Sequence, residues 1–329
     1  MDLQRQPGML RRVVDAALET SVVGSFTKVG YEARRRMYDW PDLASFDMSG
    51  KTVVITGGNS GLGFVTAKEL ARLGADVRIV ARNAERGAAA VGKLDAIGGA
   101  PAGPYVADLS SLDDVRRLAS EIRERESRLD VLVHNAGALL AERQESVDGH
   151  EMTFATMVLG PFLLTSELLP LLRATPDDAR VLWIASGGMY TQSLDVDVLE
   201  MDADDYSGTT AYARAKRAQV VLAEEWGKRL RDDRIAVHAM HPGWADTPGL
   251  ETGLPGFRTL LGPILRSPEE GTDTIVWLAA AEEPGRVTGK FWLDRAPRST
   301  TKLVPSGASP EERDALWSLC ERLTGAACP

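Results

Sequence analysis

Read for its alternation of apolar and polar positions, the chain changes character at Lys51. From there, short runs rich in Val, Ile and Leu alternate with longer stretches in which apolar residues recur every three or four positions, the spacing of one helical face. The pattern predicts strands over 52–56, 77–81, 105–107, 131–134, 181–186 and 235–240, and helices over 61–73, 84–97, 112–125, around 152–173 and 210–230. A helix over 269–281, a last strand over 287–293 and a terminal helix over 310–323 complete it. Units alternating this strictly imply a parallel sheet covered by helices on both faces, hence a doubly wound α/β fold. No internal repeat or low-complexity segment interrupts them.

The flanks read differently. Between Met9 and Asp39, Val13, Val14, Ala17, Leu18, Val22 and Val23 are mixed with Arg11, Arg12, Arg34, Arg35 and Arg36, which predicts amphipathic helix interrupted near Gly24 and Gly30. Such a helix can lie on a membrane surface. The interleaved Asp15, Glu19 and Glu32 favour instead an arm packed on its own domain or on a second copy in a homo-oligomer. Past Pro242 the chain is loop-rich through Pro248, Gly253, Pro255, Gly256, Gly262, Pro263 and Pro268, expected to be a mobile cover over a substrate. Its Leu250, Leu254, Phe257, Leu260, Leu261, Ile264 and Leu265 read equally as the wall of an apolar substrate site or as packing beneath a lid. The expected organisation is one domain over 49–295, with a helical extension over 1–48, a lid over about 243–268 and a C-terminal extension over 296–329.

Composition narrows the function classes. At 329 residues and 44% hydrophobic, the chain can bury the core of a single large domain. A net charge of -9 argues against nucleic acid, whose phosphates demand a basic face. Cys320 and Cys328 show no metal-like spacing and no disulfide framework, which fits a reducing, cytoplasmic setting. No apolar run approaches the roughly 20 residues of a transmembrane helix, and the start lacks a secretory signal. His238 and His241 stand without a carboxylate or cysteine cluster, so no metal site is expected and both are read as structural.

Candidate chemistry sits at the strand ends. Thr56-Gly57-Gly58-Asn59-Ser60-Gly61-Leu62-Gly63 follows the first strand and opens directly onto a helix, where glycines let the backbone approach a pyrophosphate and the helix N-terminus favours its charge. The second strand ends Val80-Ala81-Arg82-Asn83, with no acidic residue for a ribose hydroxyl pair. An arginine there can hold a 2'-phosphate, so NADP(H) is favoured over NAD(H). Asp76, at the start of that strand, reads as a turn residue, and Asp108 and Leu109 stand where a side chain could meet an adenine ring. Tyr212 and Lys216, four apart on one helix, share a face. A free phenol titrates near about 10, and an ammonium one turn away is expected to stabilise its anion.

In order along the chain, these features resemble the short-chain dehydrogenases/reductases. The glycine loop with the spacing T-G-x-x-x-G-x-G, Asp108, Asn135-Ala136-Gly137, Ser186, Tyr212, Lys216, Pro242-Gly243 and Thr247 carry the likeness. Val29-Gly30-Tyr31-Glu32, Ser186-Gly187-Gly188-Met189, the stretch from Lys216 to Leu222, that from Met240 to Gly249 and that from Gly289 to Arg295 extend it to the subgroup of dehydrogenase/reductase member 12. The resemblance implies a Rossmann-type fold and interconversion of a carbonyl and an alcohol on a small-molecule substrate. Ser186 would hydrogen-bond the reacting oxygen, Tyr212 would transfer the proton, and Lys216 would bind the nicotinamide ribose and lower the phenol's pKa. Asn135, Ala136 and Gly137 would line the cofactor cleft and Thr247 would meet the carboxamide. Tyr190 is a rival acid without a lysine partner and reads as a pocket wall.

One position departs from the pattern. The family usually carries an asparagine three residues before Gly160, where Met157 stands; that asparagine helps hold a water linking the lysine to solvent. A thioether cannot donate and accepts weakly, so the relay must use another group, run slowly or be absent. The alternative function is therefore a nucleotide-binding protein with weak or no catalysis.

Overall fold

The computed structural model describes residues 9–98, 103–137, 139–247, 249, 255–302 and 307–329. Strands β1 (Thr52–Thr56), β2 (Asp76–Ala81), β3 (Tyr105–Val106), β4 (Val131–His134), β5 (Ala179–Ile184), β6 (Ile235–Met240), β7 (Lys290–Leu293) and β8 (Ala296–Pro297) form one sheet in the order β3-β2-β1-β4-β5-β6-β7-β8. The first seven are parallel. Every residue of β1, β4 and β6 is buried, as apolar runs covered on both faces must be. The two-residue β8 folds back antiparallel on β7 through Asp294 and Arg295, both at positive φ. It is too short to show a period, and the sequence does not announce it.

Apart from the arm, the helices divide between the two faces. Leu118 of α6 (Leu112–Arg125), Leu163 of α7 (Met152–Ala174), Val221 of α8 (Gly208–Arg229) and Trp317 of the terminal helix Pro310–Thr324 belong to one core. Leu70 of α4 (Gly61–Arg72), Leu94 of α5 (Ala84–Asp95) and Ile275 of the helix Pro268–Ala280 belong to the other. The chain winds outward from β1 to β3 and then crosses back to β4, so a crevice opens above the C-terminal ends of β1 and β4, where such sheets bind ligands.

Helix α7 corrects the reading that no apolar run is of membrane-spanning length. Its 23 residues qualify by length and composition, but 78% of its most apolar window is buried inside the domain, where the helix packs against α6, α8 and β5. It is also irregular, with a π turn over Ala155–Leu159.

The arm also differs from its expected form. It comprises the helices Met9–Thr20, Val22–Phe26 and Lys28–Tyr38, which part at Ser21 and Thr27 rather than at Gly24 and Gly30. Ser21 caps the second helix by accepting from Gly24 N at 2.9 Å. Gly30 is a contact point: a Cβ there would lie 2.3 Å from Gly24 O, so a glycine at 30 lets the second and third helices touch.

The first arm helix is turned inside out relative to expectation. Met9, Leu10 and Val13 are exposed, while its buried residue is Asp15. It is held by charge: Arg34, wholly buried, binds Asp15 at 2.7 Å, Glu19 at 3.0 Å and Asp294 at 2.7 Å. Arg298 joins Asp15 at 2.9 Å, and Lys302 pairs with Glu19. Arg266, also buried, binds Asp294 at 2.6 Å.

Of the expected lid, Pro248, Leu250, Gly253 and Leu254 lie outside the described residues, as do the side chains of Pro255, Phe257 and Leu260. A short helix covers Pro255–Leu261.

Candidate active site

The glycine loop takes its shape from behind. Thr56 is fully buried, and its hydroxyl donates to Val133 O at 3.3 Å while accepting from Asn135 N at 3.0 Å and Ala136 N at 3.1 Å. Asn135 Nδ2 donates to Thr56 O at 3.0 Å and Gly57 O at 3.3 Å. Gly57 and Gly61 adopt φ of 66° and 53°, a region costly for other residues. At Gly63 a Cβ would lie 2.4 Å from both Asn135 Nδ2 and Gly57 O. Thr56 and Gly63 were expected to bind the cofactor, but neither lines the cavity: their atoms are spent on stitching the loop to β4.

The cavity itself measures about 920 Å³. Gly57, Asn59, Ser60, Gly61, Leu62, Arg82, Asp108, Leu109, Asn135, Ala136, Gly137, Pro242, Gly243 and Thr247 all line it, as does the whole Ser186, Tyr212 and Lys216 group. Asp108 is also occupied locally, accepting from Ser110 N at 2.9 Å and Ser110 Oγ at 2.7 Å. Arg82 is exposed at the end of β2 and forms no ion pair among the described residues. The first turn of α4 carries no acidic residue. A glycine cradle with no room for side chains, a helix N-terminus free of acidic residues and one unpaired arginine suit a dinucleotide that carries phosphates.

Ser186 lies two residues beyond β5, which ends at Ile184 rather than at 186. It caps a 3-10 turn over Gly187–Thr191, accepting from Gly188 N at 3.4 Å. Tyr212 and Lys216 come from α8, with Lys216 Nζ 5.4 Å from the centre of the Tyr212 ring. Burial raises the Tyr212 pKa, and the Ser186 hydroxyl offsets part of that rise. Burial also pushes Lys216 down to about 7. In the protein alone the phenol is thus shifted up, opposite to the lowering expected from its lysine. Desolvation is the largest cause of that rise.

The residue that sequence reading missed is Gln219, fully buried one turn beyond Lys216. Lys216 Nζ donates to Ile184 O at 2.6 Å and to Gln219 Oε1 at 3.0 Å. Gln219 Nε2 donates to Met157 O at 2.7 Å. The available signal was its place on the Tyr212 and Lys216 face. Met157 packs its sulfur near Gly137.

Tyr190 is not a pocket wall. It is buried, stacks on Phe26 with centroids 5.9 Å apart and donates to Ser299 O at 2.8 Å. The apolar wall comes partly from the arm, through Val22 and Phe26, and partly from Leu139, Leu140, Met152 and Trp244. Leu261, Ile264 and Leu265 do not line it.

Comparison with known proteins agrees with this arrangement. The short chain dehydrogenase family model matches residues 51–253. Dehydrogenase/reductase SDR family member 12 of Bos taurus is 37% identical over 303 residues, covering 91% of this chain and 93% of that protein. Human retinol dehydrogenase 13 is 35% identical over 295 residues, covering 85% and 86% respectively. Among solved structures, the Pseudomonas aeruginosa RhlG/NADP active-site complex superposes with a TM-score of 0.62 at 29% identity, covering 75% of this chain and 95% of that one. With a doubly wound sheet, a glycine cradle and a cavity shared by serine, tyrosine and lysine, the chain belongs to the short-chain dehydrogenase/reductase family and is an oxidoreductase that uses a nicotinamide cofactor.

Proposed function

We propose that the protein interconverts a carbonyl and an alcohol with NADP(H), on a small apolar substrate, with Tyr212 as proton donor and acceptor. The observation that carries this reading is the convergence of Ser186, Tyr212 and Lys216 on one cavity with the glycine loop. Gly57, Asn59, Ser60, Gly61 and Leu62 would cradle the pyrophosphate, and Arg82 would meet the 2'-phosphate. The nicotinamide supplies the hydride. Tyr212, held protonated by its buried setting, gives its proton to the substrate oxygen as that oxygen gains charge; Ser186 donates a hydrogen bond to the same oxygen. Lys216 places a cation beside the phenol that has just lost its proton.

The reading is tested by following NADPH and NADH oxidation over a panel of aldehydes and ketones. Reduction of at least one apolar carbonyl is expected, with Tyr212→Phe losing turnover by about 10²-fold or more, the usual share of a positioned acid. A Tyr212→Phe protein as active as the parent would refute the mechanism. For the cofactor, Arg82→Asp should weaken NADPH relative to NADH by about 10–100-fold, the worth of one charge-assisted bond to phosphate. A parent enzyme that prefers NADH would refute the role given to Arg82.

The exposed Met9, Leu10 and Val13, flanked by Arg11 and Arg12, support a second reading in which the first arm helix rests on a membrane surface. Co-sedimentation with anionic vesicles, lost in Leu10→Glu/Val13→Glu, is the expected result. No co-sedimentation of the parent chain would dismiss it.

A further inference from the structure

The back of Lys216 is closed by a bridge of protein groups. An ammonium has three N–H groups, and two are taken by Ile184 O and Gln219 Oε1. The Gln219 amide is fixed in one orientation by its neighbours: its oxygen accepts from Lys216 and its nitrogen donates to Met157 O. Turned over, it would set NH₂ against ammonium and oxygen against oxygen. The Met157 carbonyl has no α-helical donor, because the residue four positions on is Pro161, which has no N–H to give it. The π turn that contains Met157 is itself held tightly, since a Cβ on Gly160 would lie 2.2 Å from Leu109 O. Gln219 and Met157 O are both buried in a wall made of α7, α8 and β5, so this side of the lysine meets protein and not the cavity.

We propose that Gln219 is a positioning residue for Lys216: it directs the ammonium's remaining N–H toward the cavity and couples the lysine, through its amide, to the Met157 carbonyl. This takes over the place of the water that the family's asparagine would hold, and it makes Met157 compatible with turnover because the backbone, not the side chain, supplies the acceptor. A carboxamide at neutral pH orients a lysine but does not carry its proton away. The proton that Tyr212 gives up is therefore restored from the cavity side. The inference rests on the proton-transfer roles proposed above for Tyr212 and Lys216. Among the described residues around Lys216, Tyr212 on its own helix is the titratable group that faces it, β5 presents the Ile184 carbonyl, and α7 presents the Met157 carbonyl to Gln219.

The test reads Lys216 directly. Its titration is followed by NMR of the ¹³C-labelled ε-methylene in the cofactor-free protein, with Lys216→Met assigning the signal. Gln219→Leu removes the acceptor and should lower the titration point; Gln219→Glu replaces it with a charge and should raise it, by a unit or more each way. In turnover, the pH at which kcat changes should move in the same directions, and kcat should fall about 10-fold or more in Gln219→Leu while the KM for nucleotide changes little. Thermal melts establish that each variant is folded, and either variant alone suffices if the other is not. Lys216 titrating at the parental point in a folded variant overturns the proposal, whatever happens to activity. Because the NMR readout needs no turnover, failure of the catalytic reading is seen separately, in Tyr212→Phe.

Discussion

At the scale of single residues, the centre is governed by competition between burial and contact. Tyr212 and Lys216 sit on adjacent turns of a helix as their spacing requires, yet burial raises the phenol's pKa and pushes the ammonium down to about 7. What keeps Lys216 useful is the pair of oxygens around it, from Ile184 and Gln219. Arg34 shows the same physics on the structural side. It is wholly buried among Asp15, Glu19 and Asp294, so removing its charge leaves three carboxylates, Asp294 fully buried and Asp15 and Glu19 largely so, with Arg298, Lys302 and Arg266 as their remaining cations among the described residues. Arg34→Met is expected to cost about 3–5 kcal/mol, the price of breaking a buried ion pair from one side, read from denaturant unfolding. Restoring part of that loss with Asp15→Asn would place the cost in the carboxylate charge left in excess.

At the scale of elements, the arm is more than an anchor. Its middle helix ends at Phe26, whose carbonyl accepts from Trp244 N at 2.7 Å, and Val22 and Phe26 both face the cavity. Residues ahead of the span matched by the family model thus form part of the cavity wall. Enlarging one of them should act on substrates and spare the nucleotide. Val22→Trp is expected to raise the KM for the bulkiest accepted carbonyls several-fold while leaving nucleotide affinity, measured by fluorescence titration, unchanged; a loss of nucleotide affinity would contradict this placement. The irregularity of α7 has an equally local cause, since Pro161 follows four residues after Met157 and the helix accommodates it with a π turn.

At the scale of the whole molecule, the buried bases set how stability depends on pH. His134, His238 and His241 are pushed down to about 3, 4 and 3 by burial. His238 is held at 2.9 Å from Pro284 O, and His134 at 2.8 Å from Thr165 Oγ1. In the unfolded chain each takes a proton near about 6.5. Between that value and the folded one the unfolded state binds more protons, so stability falls as pH drops through the window from 6.5 to about 3. Lys216 acts in the same direction higher up: the unfolded chain holds its proton to 10.5 and the folded protein only to about 7, so stability rises with pH between them. Denaturant midpoints at pH 5, 7 and 9 should therefore increase in that order, and Lys216→Met should flatten the step between 7 and 9. A midpoint that rises on acidification from pH 7 to 5 would contradict the neutral state of the histidines.

Much of this was legible in the residues alone, because what they specify is local. A strand's run of apolar residues, a helix's three-and-four spacing and a glycine loop between them are all read within a dozen positions, and they located the strands of the parallel sheet and much of the nucleotide side of the cavity's lining. The sequence also places Tyr212 and Lys216 on one face without reference to anything distant. What only the tertiary structure decided depends on groups far apart in the chain. Gln219 meets Met157 O across 62 positions, and Arg34 meets Asp294 across 260. The apolar pattern of the arm marks a helix, but buried charges elsewhere turn its apolar side outward. Thr56 and Gly63 belong to the motif by spacing, yet packing directs them behind the loop. Periodicity fixes which face a residue shares; whether that face meets a ligand, a carbonyl or water is settled by burial, and burial exists only once the whole chain has folded.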